Sequence, residues 1–376
     1  MKKSIALLLV LLLTFSCSKD KPDNLEEDFS ISGKFVTPNG IDAVSKASVK
    51  LFKENTIIKE TITDSEGNFT LTNLSSGDYE LKISKGLFSS SQNVALDGIN
   101  DIFDIILDTI EITDLPNIAV VTGSWDHIED VLYNIGLVNP VTQEPLFDII
   151  DGNGPFGRSN ESSHNGHHKS NFSKTFNPQL EPNVDFDFGD LIESPALLSN
   201  YDIIFLNCGL NETKTDFSNN ITQYIADGGL IYSTDWAYVY LNDITDNGNQ
   251  YLSFSNPYRS GDSLSTEAEI LNPDLMDWLA LNFNVTIENN SVIIDEFLSG
   301  WQAVNTFDEN TVIPWLNGPV VYDDISEDKY LAYTFLHGDG GVLYSSFHTE
   351  NQTSDATNVE RLMQYLVFEL SDIKQE

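Results

Sequence analysis

Gly228-Gly229-Leu230-Ile231-Tyr232-Ser233-Thr234-Asp235-Trp236-Ala237-Tyr238 decides how the larger part of this chain is read. The Gly-Gly pair breaks the preceding segment. Residues 230 to 234 then form a short apolar, β-branched and aromatic run, the composition of a buried strand. Asp235 stands where that strand ends and a new helix opens, in the position of an N-cap. A strand that runs into a tight turn and a helix is where many α/β enzymes mount a nucleophile. Here the turn carries a carboxylate, so the pattern predicts a pocket at Asp235 and leaves its chemistry open.

Working outward, the same kind of segment recurs. Pro116 to Gly123 reads as a buried strand, and Asp126 to Leu137 as an amphipathic helix with Ile128, Val131, Leu132 and Ile135 on one face. Tyr201 to Cys208 is a second buried strand, and Ile221 to Asp227 closes a helix before Gly228. Val320 to Tyr322, Lys329 to Phe335 and Gly341 to Phe347 add late strands around the Gly338-Asp339-Gly340 turn, and Asn358 to Leu370 is a closing helix. Alternation of this kind predicts an α/β, flavodoxin-like parallel-sheet domain over residues 115–376.

Tyr201-Asp202-Ile203-Ile204-Phe205, the helix through Ile221-Thr222-Gln223-Tyr224-Ile225 leading to Gly228-Gly229-Leu230, and Gly340-Gly341-Val342-Leu343-Tyr344-Ser345-Ser346-Phe347-His348 together resemble the class I glutamine amidotransferase-like superfamily. The end segment is most similar to the ThuA-like branch, whose last strand also finishes in a histidine. The resemblance implies a cysteine nucleophile in the turn after the Gly-Gly strand. This chain has Asp235 there, which argues against glutamine hydrolysis. Cys208 falls where the family has its oxyanion loop and reads either as core or pocket wall or as a displaced nucleophile.

Residues 28–112 carry a different pattern, with short alternating runs about every ten residues and turn residues between them. That spacing predicts a β-sandwich. Within it, Thr61-Ile62-Thr63-Asp64-Ser65-Glu66-Gly67-Asn68-Phe69-Thr70-Leu71 and Leu74-Ser75-Ser76-Gly77-Asp78-Tyr79-Glu80-Leu81-Lys82-Ile83 resemble the carboxypeptidase regulatory-like module, an Ig-like, starch-binding-like sandwich. The resemblance implies a spacer or docking unit, or one in direct contact with glycan, and brings no binding residue with it. The two parts are expected to fold separately, with the boundary near Thr113 to Pro116.

The first residues point to export. Lys2 and Lys3 form a positive start, Ile5 to Phe15 an apolar stretch too short to span a bilayer, and Leu13-Thr14-Phe15-Ser16-Cys17 a lipobox. Residues 1–17 are therefore read as a lipoprotein signal peptide with Cys17 as the lipidated residue, and residues 18–27 as a tether. Several acyl chains on one residue make a durable anchor, so contact with the membrane is expected through the lipid alone. Ser18-Lys19-Asp20-Lys21 has the Lys-acidic character of signals that send lipoproteins to the outer face of the outer membrane, and reads equally as a solvated tether.

The chain carries 58 acidic against 19 basic residues, and cleavage before Cys17 removes two of the lysines. Such a field repels phosphate backbones and argues against nucleic acid as a partner. With Cys17 lipidated, Cys208 is the one thiol left, which excludes an intramolecular disulfide.

Polar and aromatic residues follow each apolar strand of the second part. Trp125, Asp126 and His127 come after the first strand, Asn211 and Glu212 after the second, Asp235 and Trp236 after the Gly-Gly strand, and His348 after the last. In a doubly wound sheet these positions face one crevice. Asp126 reads either as a ligand contact or as a helix cap, and His348 as a base or as a strand-end histidine held by backbone. His164-Asn165-Gly166-His167-His168 has metal-ligand residue types without a frame to fix them, and Asp243 to Gly248 lacks the alternating acids of a calcium loop, so neither metal nor cofactor is expected. Two functions remain open. One is a surface lipoprotein that binds glycan or another envelope component through a non-catalytic amidotransferase-like domain. The other is a hydrolase or lyase acting on sugars or envelope material through Asp235 and His348 as an acid/base pair.

Overall fold

The computed structural model describes residues 28–97, 103–152, 180–211, 218–246, 248–254, 261–262, 264–283, 288–297, 300–322, 324–347, 362 and 365–368. The signal peptide, Cys17 and the tether lie outside them, as do Glu212, His348 and the loop from His164 to His168.

The N-terminal part is a sandwich of strands β1 (Phe29–Val36), β2 (Ser48–Lys53), β3 (Thr56–Ile62), β4 (Asn68–Leu74), β5 (Gly77–Lys85), β6 (Phe88–Leu96) and β7 (Asp104–Glu111). One sheet has the order β4-β1-β7, the other β3-β2-β5-β6. Period-two alternation sends Phe69 and Leu71 of β4 and Tyr79, Leu81 and Ile83 of β5 into the space between the sheets, all buried. The Asp64–Gly67 turn that joins β3 to β4 is closed by the Asp64 carboxylate, which accepts from the backbone of Glu66 and Asn68, with Gly67 at φ 78°.

The C-terminal part is built on a nine-stranded sheet of described residues. Its parallel half comprises β8 (Ile118–Val121), β9 (Asp148–Ile150), β10 (Ile203–Leu206), β11 (Leu230–Thr234) and β20 (Gly340–Ser345), in the spatial order β9-β8-β10-β11-β20. Between β11 and β20 the chain forms two small pairs, β12 (Thr245–Asp246) with β13 (Asn249–Gln250) and β14 (Leu252–Phe254) with β17 (Val304–Phe307). The same stretch forms the antiparallel strands β15 (Leu264–Ile270), β16 (Ser291–Phe297), β18 (Val312–Tyr322) and β19 (Ile325–His337), which extend the sheet beyond β20. The C-terminal part is thus largely β, which corrects the expectation of an α/β domain alternating throughout. β18 and β19 form one long hairpin with mixed burial, and the sequence shows only its most apolar segments as short strands.

Helices are short: α1 (Ile128–Asn134), α2 (Phe188–Glu193), α3 (Pro195–Leu198), α4 (Ser218–Ala226) and α5 (Pro273–Phe283). α1 lies on one face of the parallel strands and α2, α3 and α4 on the other, while α5 packs by β15. Ile118, Val120, Phe205 and Tyr232 pack with α1 on one face, and Ala119, Val121, Ile204 and Ile231 pack with α2 and α4 on the other. Burial on both faces explains why these strands read as unbroken apolar runs. The core on the α1 face continues into the sandwich. Phe88 meets Phe368 edge to face at 5.1 Å between ring centres, the Ser89 amide donates to the Asp114 carbonyl, and Asn39 does the same to Gly136. Among the described residues no helix is long and apolar enough to cross a membrane.

Candidate functional site

The carboxyl ends of β8, β10 and β11 are drawn together by glycines. A Cβ on Gly123 would stand 2.0 Å from the Cys208 carbonyl oxygen, so only glycine lets the turn after β8 approach the turn after β10. That approach allows the Trp125 amide to donate to the Cys208 carbonyl at 3.2 Å and the Ser124 amide to the Gly209 carbonyl at 3.3 Å, with Gly209 itself at φ 85°.

Asp235 occupies the turn after β11 at φ 39°, a conformation that L-residues other than glycine rarely adopt. Its carboxylate is wholly buried. Oδ1 accepts from the Gln302 amide at 2.6 Å, and Oδ2 accepts from the Cys208 thiol at 3.5 Å. The expected N-cap role is thereby corrected. The cap position falls on Thr234, with no side-chain cap hydrogen bond, and the segment Asp235–Tyr240 is a 3-10 helix. The Thr234 hydroxyl donates to Asp126 Oδ2 at 2.5 Å and accepts from the Cys208 amide at 2.9 Å, so one side chain on β11 ties the turns after β8 and β10 together.

Asp126 is also wholly buried, and its other oxygen accepts from the His127 amide at 2.8 Å. It does not cap α1, whose N-cap is His127. The helix starts two residues later and ends three residues earlier than the expected Asp126 to Leu137. Gln302, on the loop before β17, completes the network: Tyr344 donates to its carbonyl at 3.0 Å and Tyr322 to its Oε1 at 3.3 Å. Burial, and after it the Asp235 charge, pushes the Tyr344 hydroxyl well above the usual phenol range, so it remains a donor.

The remaining sequence-predicted residues surround this network. Trp125 and Trp236 are half-buried, and the Trp236 indole donates to the Gly300 carbonyl at 2.9 Å. His127 Nδ1 lies 3.3 Å from Glu129 Oε1, and Asn207 Nδ2 donates to Glu129 Oε2 at 2.8 Å. Asn211 turns toward β9, with its amide on the Gly152 carbonyl and its own carbonyl accepting from the Tyr240 hydroxyl. The structure therefore brings Asp126, Cys208 and Asp235 into one buried network and sets Trp125, His127, Asn211 and Trp236 around it. Within the stretch from Asp243 to Gly248, Thr245 and Asp246 form β12 and pair with β13.

Glu129, Thr234 and Gln302 were not singled out in the sequence. Glu129 carried a usable signal, an acid three residues before Leu132 on the apolar face of α1, whereas Gln302 reaches the site through a long excursion that no local pattern marks. The elbow holds a carboxylate fastened to backbone.

On the sandwich, Phe52, Asp78, Tyr79, Glu80 and Asn93 line an open cleft of about 500 Å³, with Lys53 Nζ 5.1 Å from the centre of the Tyr79 ring.

Comparison with known proteins agrees with the sandwich. Residues 30–106 match the carboxypeptidase regulatory-like domain family. No protein of curated function matches the chain. Among solved structures, the major pilin subunit BcpA of Bacillus cereus is similar at 16% identity over 23% of this chain and 30% of the pilin, with a TM-score of 0.20. The 5-hydroxyisourate hydrolase of Klebsiella pneumoniae matches at 15% identity over 23% of this chain and 91% of its own, TM-score 0.19. The cytoplasmic protein STM3548 of Salmonella typhimurium matches at 10% identity over 78% of this chain and 95% of its own, TM-score 0.36. The match to the pilin thus spans less than a third of the pilin's length.

Proposed function

We propose that the protein is an outer-membrane lipoprotein exposed at the cell surface and anchored through Cys17, whose sandwich presents an amidotransferase-like domain that binds carbohydrate or another envelope component without catalysis. The spatial order of the parallel strands, second-first-third-fourth-fifth along the chain, supports a flavodoxin-like unit under the antiparallel extension. Its ligand crevice lies at the carboxyl ends of those strands, where Trp125, His127 and Trp236 stand half-buried.

The observation that carries the non-catalytic reading is the Asp235 carboxylate, wholly buried and hydrogen-bonded to the Gln302 backbone in the position where the family resemblance implies a nucleophile. A general acid or base must reach the proton it transfers, and this one reaches protein instead. A glycan array probed with the purified protein is expected to return a carbohydrate ligand whose binding Trp236→Ala weakens and Cys208→Ser leaves near wild type, because an indole offers a large apolar contact. An array without a ligand, with turnover of a sugar substrate in the same preparation, overturns the reading.

The anchor is tested apart from the ligand. Labelled palmitate should enter the wild type and not Cys17→Ala, and equal labelling of both removes the lipoprotein claim. The hydrolase or lyase alternative keeps one observation in its favour, the φ of 39° at Asp235, since backbone strain collects at active sites.

A further inference from the structure

Given the lipid anchor proposed at Cys17, on which this rests, we infer that the tip of the β2–β3 hairpin dips into the bilayer through Ile57 and Ile58 and stands the sandwich end-on upon it. Two positive φ angles in succession, 49° at Glu54 and 64° at Asn55, make the two-residue turn a tight type I′ hairpin that fixes the strands beside it. Just past the turn the pairing slips by one residue, with Leu51 opposite Lys59 and Phe52 opposite Ile57. Ile58 is thus the extra residue of a bulge. Strand alternation would turn one of two neighbouring isoleucines inward, but here both are exposed, each 47%.

Exposed isoleucines occurring singly are ordinary. What gives this pair its occupant is where it lies. Phe29, the first residue of β1, stands opposite Leu74 at the end of β4, and Ser75 and Ser76 lead from there to Gly77 at the start of β5. β2 ends beside that start, with Phe52 opposite Glu80. The hairpin tip and the entry of the chain from Cys17 therefore share one end of the sandwich. The eleven residue steps from Cys17 to Asp28 span at most about 40 Å, so this end stays close to an acylated Cys17. The C-terminal part joins the opposite end, where the Ser89 amide donates to the Asp114 carbonyl, the Asn39 amide to the Gly136 carbonyl, and Lys46 Nζ lies 3.9 Å from Asp277. Around the tip Lys53 and Lys59 balance Glu54 and Asp78, so the contact draws on apolar burial and suits zwitterionic headgroups despite the acidity of the whole chain. Such a contact sets the tilt of the sandwich and carries the C-terminal part away from the bilayer.

Lipid-borne quenching tests it. The full lipidated chain is reconstituted in phosphatidylcholine vesicles doped with a lipid that carries a nitroxide on its acyl chain. An environment-sensitive dye is placed on Ile57→Cys or, as a control beyond the opposite end, on Val141→Cys, where the native side chain is 88% exposed, both in a Cys208→Ser background. The proposal expects about threefold more nitroxide quenching at position 57 than at 141, since apolar side chains seat at the acyl boundary. Ile58→Asp should return position 57 to the level of 141. Both isoleucines lie outside the core, so these changes leave the fold intact. Protein that fails to float with the vesicles overturns the anchor and this contact together. Flotation with equal quenching at the two positions overturns the contact alone. A blue shift at position 57 without quenching also overturns it, by assigning the tip to a protein partner.

Discussion

At residue 235 a buried carboxylate occupies the turn after β11, and its surroundings explain how the turn tolerates it. A non-glycine φ of 39° is strained, and persists where neighbours over-determine it. Here the Gln302 amide and the Cys208 thiol hold the side chain from two directions. Gly123 is the complementary case, where the absence of a side chain is the requirement. Gly123→Ala should destabilise the protein by about 3 kcal/mol, since the added carbon meets a backbone carbonyl that has no rotamer to give. Urea denaturation measures it, and a variant within about 0.5 kcal/mol of wild type would mean that the turns after β8 and β10 are not in contact. The Gly-Gly strand and its acidic turn were legible in the sequence because they are local. The clamp on Asp235 was not, because Gln302 is distant in sequence and sits in a loop without periodicity.

Among the elements, β11 does more than contribute a strand. Thr234 at its end bridges Asp126 and the Cys208 amide. Thr234→Val keeps the shape and removes the hydroxyl, leaving a buried carboxylate oxygen and a buried amide without this partner. The expected loss is about 2–3 kcal/mol in urea denaturation, at the upper end for an unsatisfied buried group because one partner is charged. A neutral substitution would show that the bridge contributes nothing to stability. The parallel strands were readable because burial on both faces makes them continuous apolar runs. α1 was overestimated, since Ile135 is buried and apolar yet lies past the last helical turn. The β18–β19 hairpin was read as fragments because exposed Ile313, Ile325 and Leu336 interrupt the alternation that identifies a half-buried strand.

For the molecule as a whole, Phe88 of the sandwich packs against Phe368, a helical residue near the C-terminus. Proteolysis near Thr113 to Pro116 should leave two folded fragments that co-elute in gel filtration. Unfolding of both on cleavage would contradict separate folding. Burial raises the hydroxyls of Tyr201, Tyr224, Tyr232, Tyr333 and Tyr344 above the ordinary phenol value. Their folded pKa values exceed the unfolded value of about 10, so the folded state retains these protons longer, and the associated stability is intact below about pH 10 and declines as pH rises above it. Spectrophotometric titration should find these five among the chain's 14 tyrosines silent until the protein unfolds; phenolate signal from all 14 in the folded protein would contradict their burial. The proposed binding role requires that Asp235 serve structure and not proton transfer. Asp235→Asn tests it most directly, with urea denaturation and turnover of sugar and envelope substrates measured on the same preparation. The structural role predicts a loss of about 1–3 kcal/mol, as expected when the buried acceptor opposite the Gln302 amide is weakened, with no turnover in either protein. Unchanged stability together with wild-type turnover that falls by roughly 10²-fold or more in the variant, the scale of a lost general acid or base, would contradict it.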